Sequence, residues 1–385
     1  MNGVFAIEKP TGISSAQFLS LVQRIFTNSK VFANDLAEMK STRLKNYSNN
    51  GNKGSKRKLN NIKVKIGHGG TLDPLASGVL VVGIGNGTKR LQNYLNGSVK
   101  VYETEALLGA STTTGDSEGQ VLSKTKFDHI NDKIVEETKL KFKGEITQTP
   151  PIFSLLKMNG KPLYEYAREG LPLPAKIKPR EVQVYELTVC DDNLTKDHDW
   201  KFIKSELDED GVAIDKKLSE SRSLEKDELF FSKEYCLANG LEPSKNNIVK
   251  PQLISEDENV IYESDNFKAP LLHLIAKVSS GTYIRSLISD FGKAMDSSAY
   301  MVKLIRLEQA EWKLGKNVFK IENFENEPEE IWGPVLKKVL DEGSEIDLEK
   351  EFEKTRESYN KEKEQVEEQV EEPSSKRRKI DQVEQ

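Results

Sequence analysis

The sequence predicts an α/β (α+β) fold built around a mixed sheet, and three observations lead to this prediction. The chain has 385 residues, enough for one large domain or two smaller ones with a sizeable core. Hydrophobic residues make up 36% of the chain, charged residues 31% and aromatic residues 8%, which excludes a wholly disordered protein. Strand-like and helix-like patterns follow one another without strict βαβ alternation, which favours a mixed sheet.

The first third of the chain contains well-separated strand and helix patterns. Residues 1–9 alternate like a short strand, and Ser14 can cap a helix whose apolar residues lie three and four positions apart. Residues 79–84 form a branched apolar run typical of a buried strand. The pattern then predicts a short helix over 88–95, a strand over 99–108 and a helix that runs from an Asp128 cap to about 142.

The later elements are separated by turn residues. Pro162 in a first turn and Gly170 after the end predict a helix over 162–169. Apolar runs predict strands over 182–189, 271–278 and 302–307, and helical spacing predicts a helix over 282–295. We expect about 20 ordered residues after this last strand, followed by a charged tail over 341–385 that is flexible or a lone helix.

Charge is strongly segregated along the chain, although the formal net charge is only -5. Residues 39–72 contain nine Lys or Arg and no acidic residue, and we expect most of this stretch to be a mobile basic insertion, bounded at about 36–64. Residues 191–266 carry a net charge of -10 and predict an acidic insertion that is partly ordered. The tail 345–385 has a net charge of -5, which leaves +10 for the remaining residues. A polyanionic partner is therefore compatible with this sequence.

Several classes of protein are disfavoured by the sequence. No apolar run approaches the roughly 20 residues of a membrane span, and the first residues lack the pattern of a secretory signal. The two cysteines and four histidines have no metal-binding spacing, so neither a disulfide scaffold nor a metal site is expected. The glycines at 83, 85 and 87 match neither a Walker loop nor a dinucleotide fingerprint, and we expect no cofactor.

Asp73 is the candidate that the residues themselves single out. It follows the glycines at 67, 69 and 70 and precedes Pro74, which favours an extended backbone at Asp73. Glycines at 69 and 70 would allow close approach of a bulky ligand. On the residues alone, an Asx-turn without chemistry remains the alternative.

The motif around Asp73 resembles the signature of the TruB family of RNA pseudouridine synthases. The resemblance rests on the following collinear blocks: Lys9-Pro10-Thr11-Gly12-Ile13-Ser14-Ser15, Gly67-His68-Gly69-Gly70-Thr71-Leu72-Asp73-Pro74-Leu75-Ala76-Ser77-Gly78, Lys100-Val101-Tyr102-Glu103, Thr114-Gly115-Asp116-Ser117-Glu118-Gly119, Gln148 to Arg168, Ser279 to Leu287, and Leu304-Ile305-Arg306-Leu307. Together they span about 1–35, 65–190 and 267–325. The resemblance implies the pseudouridine-synthase fold, with a mixed, largely antiparallel central sheet flanked by helices and loops.

The resemblance also implies an activity and a catalytic set. The family isomerises uridine to pseudouridine without cofactor or metal, with Asp73 as the essential carboxylate. Arg285 matches the arginine that pairs with this carboxylate, and Tyr102 matches the tyrosine that stacks on the uracil and helps to remove the C5 proton. On the residues alone, Arg285 could instead form an ordinary salt bridge on the first turn of a helix, and Tyr102 could be a core residue of its strand.

The substrate implied by the family is the T-loop uridine at position 55 of tRNA, which must be flipped out to be reached. Residues expected to contact RNA or the flipped base are His68, Gly69, Thr71, Lys157, Lys161, Tyr164 and Leu304. For Leu304 a plain core position is the alternative, and the basic insertion could add phosphate contacts or none. We expect a monomer, with mRNA as a further candidate substrate and no membrane or guide-RNA partner.

The domain boundaries depart from part of the family. We expect a catalytic domain over 1–330 with the two insertions, and no C-terminal PUA domain, which favours a eukaryotic stand-alone enzyme. The alternatives are an RNA-binding or tRNA-folding module and the catalytic subunit of a guide-RNA-dependent particle. The basic cluster from Lys376 to Lys379 predicts a nuclear location, with the mitochondrion and the cytoplasm as further candidates.

Overall fold

The computed structural model describes residues 1–49, 61–206, 228–243, 245–247 and 249–380. Its strands are β1 (Gly3–Lys9), β2 (Ile66–His68), β3 (Ser77–Ile84), β4 (Lys100–Leu108), β5 (Ala110–Thr112), β6 (Val121–Lys124), β7 (Gly144–Gln148), β8 (Lys157–Met158), β9 (Lys161–Pro162), β10 (Arg180–Val189), β11 (Leu271–Val278), β12 (Ala299–Gln309), β13 (Trp312–Lys313) and β14 (Val318–Phe319). Its α-helices are α1 (Ser15–Asn28), α2 (Ala33–Asn49), α3 (Leu91–Asn96), α4 (Asp132–Phe142), α5 (Leu163–Arg168), α6 (Lys233–Ala238), α7 (Glu256–Tyr262), α8 (Ile284–Lys293), α9 (Glu322–Glu325), α10 (Glu329–Glu342) and α11 (Leu348–Ile380). None of the described helices has both the length and the apolar character needed to cross a bilayer.

The chain divides into two compact units. The first unit comprises Met1–Pro74, Gly78–Leu95 and Glu311–Gln385, and the second comprises Leu75–Ser77 and Asn96–Ala310. The first unit therefore combines both ends of the sequence, while the second is almost continuous.

In the first unit, β1 lies between β3 and β14. It pairs with β3 antiparallel, from Gly3 opposite Ile84 to Lys9 opposite Gly78, and with β14 parallel. The strands predicted at 1–9 and 79–84 are confirmed. The helix predicted after Ser14 is α1, and Ser14 forms a reciprocal capping box with Gln17.

The core of the first unit is built from aromatic side chains. Phe5 of β1 contacts Phe26 of α1 and Phe319 of β14, with ring centroids 5.9 and 5.8 Å apart. Phe26 stacks on Trp332 of α10 at 5.8 Å. Elements close to both ends of the sequence thus contribute to one core, because only together can they bury these rings.

Two segments of the first unit are more ordered than expected. Residues 33–49 form helix α2, although most of 39–72 is predicted to be mobile, and the part of the basic insertion at 50–60 lies outside the described residues. The charged tail forms helix α11, and Ile346 just before this helix and Leu348 and Phe352 within it are buried in the aromatic core. These three apolar side chains anchor a segment whose overall composition is typical of a solvated tail. The ordered region after β12 is correspondingly longer than the 20 residues expected.

The second unit is dominated by an antiparallel sheet in the order β12-β4-β11-β10-β7. The strands predicted at 99–108, 182–189, 271–278 and 302–307 are confirmed, and β12 extends further on both sides. Helix α8 lies against β12, and its Phe291 stacks on Phe142 of α4 at 5.6 Å. The mixed α/β fold class is confirmed.

One predicted helix cap is wrong. Helix α4 begins at Asp132 and is capped by Asn131, whose Oδ1 accepts a hydrogen bond from the Ile134 amide at 3.2 Å. Asp128 lies in the preceding turn. Asp and Asn are nearly equal as caps, so two candidates three residues apart cannot be separated by sequence pattern.

The described parts of the acidic insertion are folded onto the second unit. Phe202 contacts Phe267 with ring centroids 5.0 Å apart, and Tyr262 of α7 stacks on Phe267 at 4.4 Å. Leu229 and Cys236 are buried as well. The partial order predicted for this insertion is confirmed, and residues 207–227, 244 and 248 lie outside the described part of the chain.

Candidate active site

Asp73 lies in the loop between β2 and β3 of the first unit and is half-buried. The residues on both sides of it are held by hydrogen bonds. The Ser15 hydroxyl donates to the Leu72 carbonyl and accepts from the Leu72 amide, both at 2.9 Å. The Pro74 carbonyl accepts from the Gly12 amide at 2.8 Å. The backbone that presents Asp73 is therefore attached to the start of α1 and to the turn before it.

Lys9 adds a third attachment to this loop. It is fully buried at the end of β1, and its ammonium donates to the carbonyls of Pro10 at 2.7 Å, Ile13 at 2.6 Å and Pro74 at 3.4 Å. A buried ammonium is strongly destabilising unless its donors are satisfied. These bonds tie the turn 10–13 to the Asp73 loop, so Lys9 acts as a support of that loop. Neither Lys9 nor Ser15 is among the site residues expected from sequence.

The other candidates near Asp73 in sequence have different surroundings. His68 ends β2 opposite Val82, and Thr71 is exposed. Gly69 donates its amide to the Val81 carbonyl at 2.8 Å. A Cβ added at Gly69 would lie 2.7 Å from the Cβ of Tyr94 in α3. Close packing against α3 thus explains the glycine at position 69 without a ligand.

Arg285 is the second residue of α8 in the second unit, and its side chain is 5% exposed. Its Nη1 donates to the Thr114 carbonyl at 2.7 Å and its Nη2 to the Phe153 carbonyl at 2.9 Å. Its Nε lies 3.7 Å from Oδ2 of Asp116, whose side chain is 4% exposed. The salt bridge that the sequence offered as the alternative role of Arg285 is therefore present on the first turn of its helix, although it is buried and not on the surface.

Asp116 is itself fixed in place. Its Oδ1 accepts from the Thr114 hydroxyl at 2.5 Å and from the Glu118 amide at 3.0 Å. These bonds leave Oδ2 facing the guanidinium of Arg285. Asp116 is not among the expected site residues, although it belongs to the block 114–119 that carries the family resemblance. The counterion of Arg285 lies far from it in sequence. The only sequence feature that could have identified Asp116 was its position in the block 114–119 that resembles the family.

Tyr102 is buried on β4, on the same face as Lys100 and Thr104. Directly opposite on β12 lies Arg306, which is 2% exposed and donates its Nε hydrogen to the Tyr102 hydroxyl at 3.1 Å. Leu304, two residues earlier on β12, is buried on the same face of its strand. The structure thus brings Tyr102 and Leu304 onto adjoining strands and adds Arg306, which was not expected to be a site residue.

Lys100 is a second buried cation on this face. Its ammonium donates to the Ser98 carbonyl at 3.2 Å and to the Ser98 hydroxyl at 3.1 Å. Burial, and to a smaller extent the positive charge of Arg306, lowers the pKa of Lys100 to about 8. Two basic side chains, Lys100 and Arg306, therefore lie on buried strand positions close to Tyr102.

The three remaining candidates lie together in the second unit. Lys157 and Lys161 are on the two strands of the β8–β9 hairpin, and Tyr164 is in α5, which follows directly. Lys157 is exposed, whereas the Lys161 ammonium lies 2.5 Å from a carboxylate oxygen of Glu169. The guanidinium of Arg168 lies 5.2 Å from the ring centroid of Tyr164. This arrangement gives a small surface with aromatic and cationic groups, the combination that stacks on bases and contacts phosphates.

Two overlapping groups of side chains in the described residues could hold a metal ion. One consists of Cys190, Asp192 and His273, and the other of Glu103, Glu105 and His273. His273 Nδ1 is already 2.6 Å from Asp192, and the Lys303 ammonium contacts both glutamates at 3.1 and 2.5 Å. Internal ion pairs thus already use most of these ligand atoms, and the absence of a metal from the reaction stays a prediction.

The candidates therefore fall into two sets. The first unit contains Asp73 with His68, Gly69 and Thr71, and the second contains Tyr102, Arg285 and Leu304 with the hairpin residues. The pairing of Asp73 with Arg285 stays a prediction.

Comparisons with known proteins agree on one family. A family model described as TruB family pseudouridylate synthase (N terminal domain) matches residues 56–204. The chain is 51% identical to tRNA pseudouridine synthase 4 of Saccharomyces cerevisiae over 92% of its own length and 88% of that protein. It is 36% identical to tRNA pseudouridine synthase 4 of Schizosaccharomyces pombe over 84% of this chain and 82% of that protein.

One solved structure is a more distant match. It is titled "Crystal Structure of a Cbf5-Nop10-Gar1 Complex", and the match has a TM-score of 0.43 and 17% identity. The match covers 92% of this chain and 59% of that chain. The family assignment therefore rests on the two yeast relatives.

Proposed function

Since the chain belongs to the TruB family of pseudouridylate synthases, we propose that it isomerises a uridine of tRNA to pseudouridine, at position 55 of the T-loop. The observation that carries the proposed activity is the 51% identity, over 92% of the chain, to a protein named tRNA pseudouridine synthase 4, and position 55 is proposed from the resemblance to the family. The buried, charged surroundings of Tyr102 and Arg285 support it, because such environments are typical of sites that tune reactivity.

The proposed reaction rearranges one nucleoside without loss of atoms. The bond between N1 and C1′ breaks, the uracil turns, and C5 bonds to C1′. C5 then loses its proton, while N1 gains one from solvent. We propose that Asp73 is the essential carboxylate of this sequence. Its loop is held through Leu72 and Pro74, which favours a fixed orientation of the carboxylate.

Arg285 and Tyr102 are proposed to complete the catalytic set. A carboxylate that acts in a desolvated site must stay ionised, and a nearby guanidinium favours the charged form. Arg285 can supply this charge because two carbonyls and Asp116 hold it in place. Tyr102 is proposed to contact the uracil and to receive the C5 proton.

Recognition of tRNA is proposed to use shape and charge. The T-loop base must be flipped out, and the exposed Lys157 of β8 and the partly buried Tyr164 of α5 offer groups that can contact the loop. A groove of about 610 Å³ along α1, lined by Arg24, Lys63 and Gln17 among others, offers a second polar surface in the first unit. Phosphate contacts of this kind make binding weaken with rising salt concentration.

The test is a reaction of purified protein with a tRNA transcript, without cofactor or guide RNA. We expect wild-type protein to form pseudouridine at position 55, measured by RNA base composition and by mapping. Asp73→Asn should form none, whereas Asp265→Asn, at an exposed aspartate paired with Lys204, should be as active as wild type. No product with wild-type protein, or equal product with Asp73→Asn, would contradict the proposal.

The same variants separate the alternative functions. An RNA-binding or tRNA-folding module would keep its role in cells when Asp73 is replaced by Asn. A subunit of a guide-RNA particle would co-purify with small RNAs and would need them for product formation. We propose instead a stand-alone monomer.

A nuclear location is proposed for the same protein. The support is the basic cluster Lys376–Lys379 near the end of the chain, since such runs are typical of nuclear signals. Replacement of the four residues by alanine should move a fluorescent fusion from the nucleus to the cytoplasm. An unchanged distribution would contradict the proposal.

A further inference from the structure

Arg306 is an arginine whose side chain is buried within a β-sheet. Its side chain is 2% exposed, and it lies directly opposite Tyr102 in the β4–β12 ladder. Its Nε donates to the Tyr102 hydroxyl at 3.1 Å and its Nη1 to the Gln309 amide oxygen at 2.9 Å. The guanidinium carbon lies 5.5 Å from the centroid of the Tyr102 ring. One buried cation therefore contacts both the ring and the hydroxyl of the proposed proton acceptor.

The direction of this hydrogen bond has a chemical consequence. Arginine has donors only, so the Tyr102 oxygen must be the acceptor in its contact with Arg306. The hydroxyl hydrogen of Tyr102 must then point away from Arg306. A hydrogen bond donated by a charged group also strengthens when the acceptor itself becomes negative.

We propose that Arg306 is a positioning residue for Tyr102, which fixes the direction of the hydroxyl and stabilises the phenolate that Tyr102 must form before it receives the proton from C5 of the turned uracil. The proposal rests on the function proposed above and assigns a role in it to a residue outside the expected catalytic set. In the step concerned, the C5–H bond breaks and its electron pair restores the C5=C6 double bond. The pair displaced from the C6=N1 bond moves to N1, which takes a proton from solvent. The C5 proton passes to the phenolate oxygen of Tyr102, whose own hydroxyl proton has passed to solvent beforehand, so that the phenol is regenerated.

The position of Arg306 favours this role over a purely structural one. Lys100 lies on the same buried strand face as Tyr102, and its charged form is disfavoured by burial and by Arg306. The positive charge of Arg306 therefore acts on an ionisable group of this strand face. A phenolate at Tyr102, whose oxygen accepts the hydrogen bond from Arg306, would be stabilised by the same charge.

A double-mutant cycle in full-length protein tests the proposal. Arg306→Met should lower the single-turnover rate of pseudouridine formation roughly 10- to 100-fold, the loss expected for one charge-assisted hydrogen bond. In a Tyr102→Phe background, which lacks the hydroxyl, the same change should lower the rate further by less than about threefold. Arg306→Lys, which keeps a cationic donor, should recover part of the rate.

An isotope measurement separates positioning from a loss of structure. With tRNA carrying deuterium at C5 of uridine, Arg306→Met should show a larger primary isotope effect than wild type, because proton removal becomes rate-limiting. The control is Arg356→Met, whose guanidinium lies 5.5 Å from the Phe352 ring centroid in the first unit and which should leave rate and isotope effect unchanged.

The outcomes distinguish the two proposals. If wild-type protein forms no pseudouridine, the proposed function is wrong. If wild type is active and Arg306→Met lowers the rate equally with and without the Tyr102 hydroxyl, the positioning role is wrong. If Arg306→Met fails to fold, the double-mutant cycle is carried out with Arg306→Lys. The proposal predicts that Arg306→Lys also lowers the rate less in the Tyr102→Phe background than in the wild-type background. An unchanged isotope effect in an impaired Arg306 variant would also overturn the proposal.

Discussion

Replacement of Ser15 by alanine should weaken both the stability of the protein and its catalysis. Ser15 and Leu72 are 1% and 3% exposed, and the serine hydroxyl satisfies both the amide and the carbonyl of Leu72. The variant deprives two buried backbone groups of this partner. Each such group costs on the order of 1–3 kcal/mol, and partial relaxation reduces the sum, so we expect a loss of about 2–4 kcal/mol in the free energy of unfolding.

The catalytic effect follows from the position of Leu72 next to Asp73. If Asp73 is the essential carboxylate, a looser loop should lower the single-turnover rate about 10- to 100-fold, because misplacement of a reacting group by about 1 Å has effects of this size. The dissociation constant for tRNA should change little, since Ser15 is buried. Urea unfolding, single-turnover pseudouridine formation and filter binding measure the three quantities.

A matched control uses Ser358 of α11, whose exposed hydroxyl donates to the Lys354 carbonyl one turn earlier. Ser358→Ala should behave as wild type in all three measurements. The reasoning about the Asp73 loop would be refuted if Ser15→Ala matched wild type in unfolding and in rate. A loss of stability with an unchanged rate would show that Ser15 supports the fold but does not position Asp73.

Two further predictions concern buried charges in the second unit. Asp116→Asn should lower the free energy of unfolding, measured in urea, by about 3–5 kcal/mol, because it removes a carboxylate that faces the buried guanidinium of Arg285. The control Asp265→Asn, at an exposed position, should leave the urea midpoint unchanged. Equal effects of the two substitutions would contradict a stabilising role of the buried ion pair. The pKa of Lys100 is lowered from 10.5 to about 8, so the unfolded chain binds more protons than the folded one above pH 8. This residue should therefore make the protein more stable as the pH rises from about 8 towards 10, by up to about 1.4 kcal/mol per pH unit, and Lys100→Met should remove this contribution in unfolding curves at pH 7 and 9.5. A Lys100→Met variant with the same pH dependence as wild type would contradict the lowered pKa.

Local patterns predicted the secondary structure well where a segment carries its own signal. The Ser14 helix cap and the apolar run over 271–278 are examples, and both elements have the expected positions. The order of the tail was harder to predict, because Phe352 and two nearby apolar residues are surrounded in sequence by Glu and Lys. These apolar residues stabilise the tail only because the folded core offers a surface on which they are buried. The Asp128 cap was wrong because Asn131 offers an equivalent cap nearby.

The residues of the candidate site also divide into those that the sequence identified and those that it could not identify. Asp73, Tyr102 and Arg285 could be selected from sequence because each lies in a contiguous motif. The residues that hold them in place could not be selected, because they are distant in sequence. Ser15 is 57 positions from Leu72, the neighbour of Asp73, Asp116 is 169 positions from Arg285, and Arg306 is 204 positions from Tyr102. What the amino-acid sequence alone determined was the family motif and the local elements, since these depend on neighbours along the chain. The tertiary structure alone decided which buried polar groups satisfy one another, because a desolvated charge must find its partner wherever the fold places one.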